Sequence, residues 1–276
     1  MKAIILAAGR GSRMGKYTEK IPKGLLEISG KTILEMQTEC FRNAGITDIS
    51  IVKGYKGDAI KISGVKYYLN ADFDTTNMVV SLMKAASEFT DDVIVSYADI
   101  LFDPLLLTQI IRATGDVVVL ADSNWKKYWS MRYDTIDCDL ESLIIDESNN
   151  IVEIGRPNVP EKDMAMRYIG VLKFSKHCAK NIVQIANDAG ITYYDKPWKH
   201  SGKSYPKAYM TDLLQALIDE GIEVKAEKVV NGWIEFDSES DYEKAKSWVS
   251  SGEINALFGA FNLLVNYKEE KRQSMT

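Results

Sequence analysis

The chain has 276 residues, 46% hydrophobic and 26% charged, the balance of an ordinary globular protein, which excludes a disordered, collagen-like or coiled-coil chain. Its 34 Lys and Arg against 39 Asp and Glu leave a net charge of −5, so no nucleic-acid partner is expected, although a small phosphorylated ligand needs only a local positive pocket. Cys40, Cys138 and Cys178 are an odd, widely spaced set that fits a reduced, cytoplasmic protein better than a disulfide framework, and the apolar runs are too short for a signal peptide or a membrane span.

Residues 2–8 form an apolar run that ends in a Gly-rich turn. The spacing predicts a helix over 32–43 with Gly45 as its stop, a short strand over 50–53 and a helix over 78–89. Two β-branched runs, 93–97 and 117–121, read as buried strands. Between them Asp103 is a helix N-cap with Pro104 at the first helical position. Residues 143–146 and 151–154 flank Ser148-Asn149-Asn150 as a hairpin. A strand over 168–174 and a helix over 176–188, stopped near Gly190, follow. Then come a long aromatic loop over 191–207, a helix over 209–219, strands over 222–228 and 232–236, and a helix over 242–250. Residues 253–267 read as a further apolar helix and 268–276 as a charged tail. Strands alternating with helices predict an α/β fold with a mostly parallel central sheet flanked by helices. The expected organisation is one domain over 1–252 plus a C-terminal helix and tail over 253–276. Ligands of such sheets bind at the carboxyl ends of the strands.

The loop after the first strand carries the strongest chemical signal. Glycines at 9, 11 and 15 permit left-handed turns that gather amide N–H groups into one concavity suited to phosphate. Arg10, Arg13, Lys16 and Lys23 add positive charge to it. A dinucleotide fingerprint from Gly9 and Gly11 fails because Met14 stands where Gly or Ala is needed. A Walker loop fails at Arg10 and Tyr17. What remains, Leu6-Ala7-Ala8-Gly9-Arg10-Gly11-Ser12-Arg13-Met14 followed by Pro22-Lys23, resembles the signature of the nucleotidylyltransferase superfamily. The resemblance implies a Rossmann-like, nucleotide-diphospho-sugar-transferase-like fold and Mg²⁺-dependent nucleotidyl transfer.

Such transfer needs carboxylates for the metal. Asp99 lies at the end of the 93–97 strand, and Asp103 is the better cap for the next helix, so Asp99 is left for the ion. Ser238 and Asp241 form a capping-box pair, which leaves Asp237 for the ion as well, with Glu235 a further candidate ligand or a supporting group behind it. Asp137-Cys138-Asp139 spells the Asp-x-Asp of many glycosyltransferases. It follows no buried strand and reads as a solvated turn.

Further along, Thr76-Asn77 with Ser81-Leu82 is similar to a segment of the phosphocholine and phosphonate-metabolism cytidylyltransferases. So are the stretch from Asp122 to Arg132, Glu153-Ile154-Gly155, Tyr168-Ile169-Gly170, and Trp233 to Asp237. Residues 1–250 are covered. One departure is Arg156, where that branch often has Lys. The resemblance implies a cytidylyltransferase moving CMP from CTP to a phosphate or phosphonate acceptor with release of pyrophosphate. Phosphocholine, an aminoalkyl- or hydroxyalkylphosphonate and a phosphorylated amino acid are the acceptors in view. A sugar-1-phosphate nucleotidylyltransferase and a non-catalytic nucleotide-binding regulator are the alternatives. The roles it implies are Lys23 and Arg13 in catalysis, and Leu6, Ala7, Ala8, Gly9, Gly11, Ser12, Arg13, Lys16, Asn77, Ser81 and Ala98 around the nucleotide. Asp99 and Asp237 would hold Mg²⁺. For the acceptor the candidates are Trp125, Trp129, Arg132, Arg156, Tyr194, Tyr209 and Asp212, in part because aromatic faces can hold a quaternary ammonium. A small antiparallel subregion would bind the acceptor. The C-terminal helix, outside the resemblance, leaves room for a homodimer.

Overall fold

The computed structural model describes residues 1–259. A seven-stranded sheet runs through the molecule. Its strands are β1 (Lys2–Ala7), β2 (Ile49–Lys53), β3 (Lys66–Leu69), β4 (Val93–Tyr97), β5 (Val117–Asp122), β6 (Arg167–Phe174) and β7 (Val224–Val229). The spatial order is β7-β5-β6-β4-β1-β2-β3. All neighbours are parallel except at β6, which runs antiparallel to both β4 and β5. The central strands are apolar on both faces, as sheets covered on both sides require. Ala3 and Ile5 of β1 enter one core and Ile4 and Leu6 the other.

The helices are α1 (Ile33–Asn43), α2 (Met78–Lys84), α3 (Pro104–Arg112), α4 (Trp125–Arg132), α5 (Ala179–Thr192), α6 (Met210–Asp219) and α7 (Glu239–Ser251). Several ends follow local side-chain chemistry, as expected at Asp103 and at Ser238 with Asp241. Thr32 and Glu35 make a capping box on α1, Asp103 accepts from the Leu105 amide ahead of α3, and Ser238 with Asp241 caps α7. The hairpin is present as Glu141–Ile145 against Ile151–Pro157, and a second antiparallel ribbon pairs Ile100–Phe102 with Trp233–Glu235.

Some boundaries differ from expectation for identifiable reasons. Gly190 does not stop α5, which continues to Thr192; a Cβ at Gly190 would lie 3.1 Å from the Tyr205 ring, so this glycine serves close packing of the loop on the helix. The helix expected over 78–89 ends at Lys84, and a 3-10 turn, Ala86–Glu88, carries Glu88 inward to Lys2 and Lys66. The edge strand β3 and the helix α4 were not anticipated. The first is mostly exposed, and the second has aromatic and basic residues without a clean helical period.

At the C-terminal end a 3-10 turn, Glu253–Ala256, packs back onto the domain: Ile254, Leu257 and Phe258 enter the core cluster, and Leu257 accepts from the Gly232 amide. Packing is thus continuous across the boundary expected at 252, and a turn stands where the helix over 253–267 was expected to begin. The remainder of that helix and the tail lie outside the described residues. No helix among the described residues is long and apolar enough to cross a membrane.

Candidate active site

The first strand delivers its chain into the glycine loop at its carboxyl end. Gly11 adopts φ 65° and ψ 48°, a left-handed conformation that glycine takes without strain. A Cβ there would lie 3.0 Å from Lys23 Cε. Gly11 therefore both turns the chain and leaves a passage for the lysine. The loop is closed by the Met14 amide and the Thr18 hydroxyl, each donating to the Gly11 carbonyl at 2.9 Å, and is anchored by the buried Met14 side chain.

Lys23 reaches through this passage to two carboxylates. Its Nζ donates to Asp99 Oδ2 at 2.8 Å and to Asp237 Oδ1 at 3.3 Å. Arg13, 71% exposed, approaches the same Asp237 oxygen at 3.2 Å. Although burial opposes its charge, Asp99 and Asp237 hold the Lys23 ammonium above its ordinary range. Burial would likewise raise Asp237, but Lys23, Arg13 and Arg132 outweigh it and hold the carboxyl well below the usual carboxylate range.

Two devices bring these acids together. Gln37, buried on α1, donates to the Tyr97 and Ile100 carbonyls at 2.7 and 2.6 Å and accepts from Ser96, fixing the turn that carries Asp99. The ribbon pairs Glu235 with Ile100, and the Phe236 amide donates to the Asp99 carbonyl at 2.9 Å, which sets Asp237 beside Asp99. Buried Asp122 holds the start of that strand by accepting from Asn231 N and Trp233 Nε1. Neither Gln37 nor Asp122 carries a signal in sequence, because each acts through long-range contacts to backbone or indole.

Arg132 stands behind the acids. It is buried and donates through Nε to Asp241 at 2.8 Å, through Nη2 to Asp237 at 3.2 Å, and through Nη1 to Glu235. Burial pushes the Glu235 carboxyl up against the pull of Arg132. Glu235 faces Arg132 rather than Lys23. Asp99 and Asp237 thus converge on one cation from separate elements. That arrangement fits a Mg²⁺-type ion, which takes one or two carboxylates and completes its shell with phosphate oxygens and water. Among the described residues no cluster of three or more metal-ligating side chains forms, so an all-protein cage is not available.

Two adjoining clefts meet at this point. One, at the ends of β1 and β4, is lined by Leu6, Ala7, Ala8, Gly9 and Gly11, with Asn77, Ser81 and Ala98 opposite and Lys23 and Asp99 at its base. Ser12, Arg13 and Lys16 lie outside its lining, Ser12 and Lys16 on the exposed loop. Thr76 of the Thr76-Asn77 motif also lines the cleft, and Phe73, Met78 and Tyr97, which no motif marks, complete the walls. Sequence reasoning gave no role to buried Asn70, whose amide donates to Thr76 and Ser81 and so shapes the 70–81 segment.

The second cleft shares Met78 and Tyr97 with the first and continues past Arg13 and Glu235 to Glu141, Arg167 and Tyr209. Of the acceptor candidates only Tyr209 lines it. Trp125 and Trp129 are fully buried core residues. Arg132 is taken up by carboxylates. Arg156 pairs with Glu153 and Asp163. Asp212, buried, accepts from the Tyr209 amide and from Ser201, and Tyr194 is exposed away from the lining. The aromatic loop packs on itself, Trp198 against Tyr193 and Tyr205. Asp137-Cys138-Asp139 is an irregular turn, but Asp139 receives Arg167 at 3.0 Å on the cleft wall.

Fold and site together define a nucleotidyltransferase, and residues 3–200 match the family described as MobA-like NTP transferase domain. The chain belongs to this family, within its cytidylyltransferase branch. It is 33% identical over 254 residues to the CTP:phosphoglutamine cytidylyltransferase of Campylobacter jejuni, covering 88% of this chain and 98% of the relative. It is 31% identical over 150 residues to the choline-phosphate cytidylyltransferase of Streptococcus pneumoniae, covering 53% and 64% of the two chains. The solved CTP:phosphocholine cytidylyltransferase of Streptococcus pneumoniae superposes with a TM-score of 0.69 at 22% identity, over 90% of this chain and 98% of that one, and shares the fold.

Proposed function

We propose that the protein transfers CMP from CTP to a small phosphate- or phosphonate-bearing acceptor, releasing pyrophosphate, with Mg²⁺ held by Asp99 and Asp237. The observation that carries the reading is the Lys23 ammonium set between those two carboxylates where the glycine loop and the end of β4 meet. Bound Mg²⁺ would supply charge neutralisation to the phosphates. An acceptor oxygen attacks the α-phosphorus, the bond from that phosphorus to the β-phosphate bridging oxygen breaks, and its electrons leave with pyrophosphate. The attacking oxygen is already anionic near neutral pH, so no general base is required. This accords with a chain that has two histidines and with a site built of cations and carboxylates. The work left to the protein is positioning and electrostatic stabilisation. Lys23 stabilises charge at the transferring phosphorus. Arg13 and the loop from Gly9 to Ser12, with Lys16, hold the outer phosphates. The pocket between Leu6–Ala8 and Asn77–Ser81 takes the nucleoside. A reduced, cytoplasmic setting suits the buried, unpaired Cys40 and Cys178.

The test is pyrophosphate release with Mg²⁺, crossing the four NTPs with phosphocholine, phosphoethanolamine, 2-aminoethylphosphonate, phosphorylated amino acids and glucose-1-phosphate. CTP-dependent release with a non-sugar acceptor is expected. Release only with glucose-1-phosphate would make the protein a sugar-1-phosphate nucleotidylyltransferase instead.

A further inference from the structure

The second cleft carries charges that the transfer chemistry does not use. Beyond Arg13 and Glu235, its charged side chains are Asp139, Glu141 and Arg167. Arg167 lies with its guanidinium 4.0 Å from the centroid of the Trp129 ring and donates to the Asp139 carbonyl at 2.6 Å and to Asp139 Oδ2 at 3.0 Å. The stacking fixes the plane of the fork before any ligand arrives, so little freedom is lost when an anion binds. Asp139 itself sits at the exposed turn, its side chain 58% accessible against 12% for Arg167, so water reaches the carboxylate and an incoming anion competes with it for a fork that stays largely covered. Across the same wall, Glu141 Oε1 accepts from Thr211 at 3.0 Å; burial raises its carboxyl above the ordinary range, against the pull of Arg167 and Thr211. The cleft therefore presents a fixed cation and a carboxylate side by side, beyond the groups assigned to phosphate.

The aromatic surroundings point away from a quaternary ammonium. The aromatic residues lining the cleft are Tyr97, Tyr168 and Tyr209; the hydroxyls of the first two bond to each other at 3.1 Å, with their rings edge to face. Trp129 is buried and already has Arg167 over its face. Tyr209, 38% exposed, is left as a single ring where an aromatic cage needs several, and a trimethylammonium group has no N–H to give to Glu141, whereas a primary ammonium does.

We propose that Arg167 and Glu141 are specificity-determining residues that select an acceptor bearing both a carboxylate and a primary ammonium, that is, a phosphorylated amino acid, with Arg167 on the carboxylate and Glu141 on the ammonium. The inference rests on the cytidylyl-transfer reading above. Charge-assisted hydrogen bonds of this kind distinguish ligands by ~10- to 100-fold.

The test is calorimetric binding of phosphoglutamine, O-phospho-L-serine, phosphoethanolamine and phosphocholine to the full chain, with and without Mg²⁺ and α,β-methylene-CTP, alongside turnover. At least one phosphoamino acid is expected to bind ~10-fold or more tightly than phosphoethanolamine, with phosphocholine weakest. Arg167→Gln should lower that preference ratio ~10-fold, Arg167→Lys should restore part of it, and Glu141→Gln should cost the ammonium-bearing ligands more than O-phospholactate, which lacks the amine. Equal or tighter binding of phosphocholine by the wild type would overturn the proposal, whatever the variants do. So would a preference ratio unchanged in folded Arg167→Gln. Failure of the transfer reading shows separately, as a protein that neither binds the CTP analogue nor releases pyrophosphate.

Discussion

Replacing Arg132 by Met keeps most of the apolar stem and removes the charge that three carboxylates share. In the native protein the guanidinium is buried, spans Glu235, Asp237 and Asp241, and lies 5.1 Å from the Trp129 ring centroid and 4.9 Å from that of Tyr133. The substitution leaves these acids facing one another with little water. Breaking a buried ion pair from one side costs ~3–5 kcal/mol, and for a chain of this size that lowers the melting temperature by about 10 °C. Urea unfolding followed by circular dichroism at neutral pH reads the loss directly. The sign of its pH dependence also follows. Although burial opposes it, Arg132 helps to hold Asp237 and Asp241 below the ordinary Asp value of 3.8, so its contribution through those two acids is full above that value and fades as pH falls through the lowered folded values. The gap between wild type and variant should therefore narrow on acidification. A loss under ~1 kcal/mol at neutral pH, the range of an exposed pair, would refute the hub.

Further outcomes follow from the same contacts. Because the Lys23 ammonium already neutralises Asp99 and Asp237, Mg²⁺ alone should bind weakly and CTP should strengthen it; Lys23→Met should raise Mg²⁺ affinity without CTP by ~10-fold, and an unchanged or lower affinity by calorimetry would contradict the shared site. Asp99→Ala and Asp237→Ala should each shift the Mg²⁺ requirement of pyrophosphate release to higher concentration, and an unaltered requirement in both would remove the metal assignment. At the far edge of the sheet, buried Glu88 is clasped by Lys2, Tyr68 and Lys66, which outweigh the effect of burial and hold its carboxyl at about 2 against an ordinary 4.5. Glu88→Gln should cost ~2 kcal/mol near neutral pH. That difference should persist down to pH 4.5 and disappear as pH falls towards 2, read by urea unfolding across that window.

The parts of the site legible in the sequence are those whose chemistry is local. The glycine loop, Lys23, and the elimination of Asp103 and Asp241 as caps all depend on residues within a few positions of one another; the structure brings Lys23, Asp99 and Asp237 together, with the lysine paired to both acids. The alternating strands were equally legible, since buried parallel strands read as continuous apolar runs. The walls of the second cleft were not. Trp125, Trp129 and Arg132 resemble ligand-binding residues by type, but α4 turns them into the core, where the arginine serves the acids from behind. Glu141 and Arg167 sit in a hairpin strand and in β6, the antiparallel strand, and only the tertiary arrangement brings them to one wall. Gln37 and Asp122, which fix the two acidic turns, bond to backbone and indole far away in sequence and leave no pattern to find.

The most direct measurement is the turnover of Lys23→Ala beside the wild type, with CTP, Mg²⁺ and a phosphoamino-acid acceptor, on samples shown to be folded by circular dichroism. Loss of ~10²-fold or more in kcat, as for removal of an electrostatic stabiliser, is the result this account predicts. Near-normal turnover from the folded variant would contradict it.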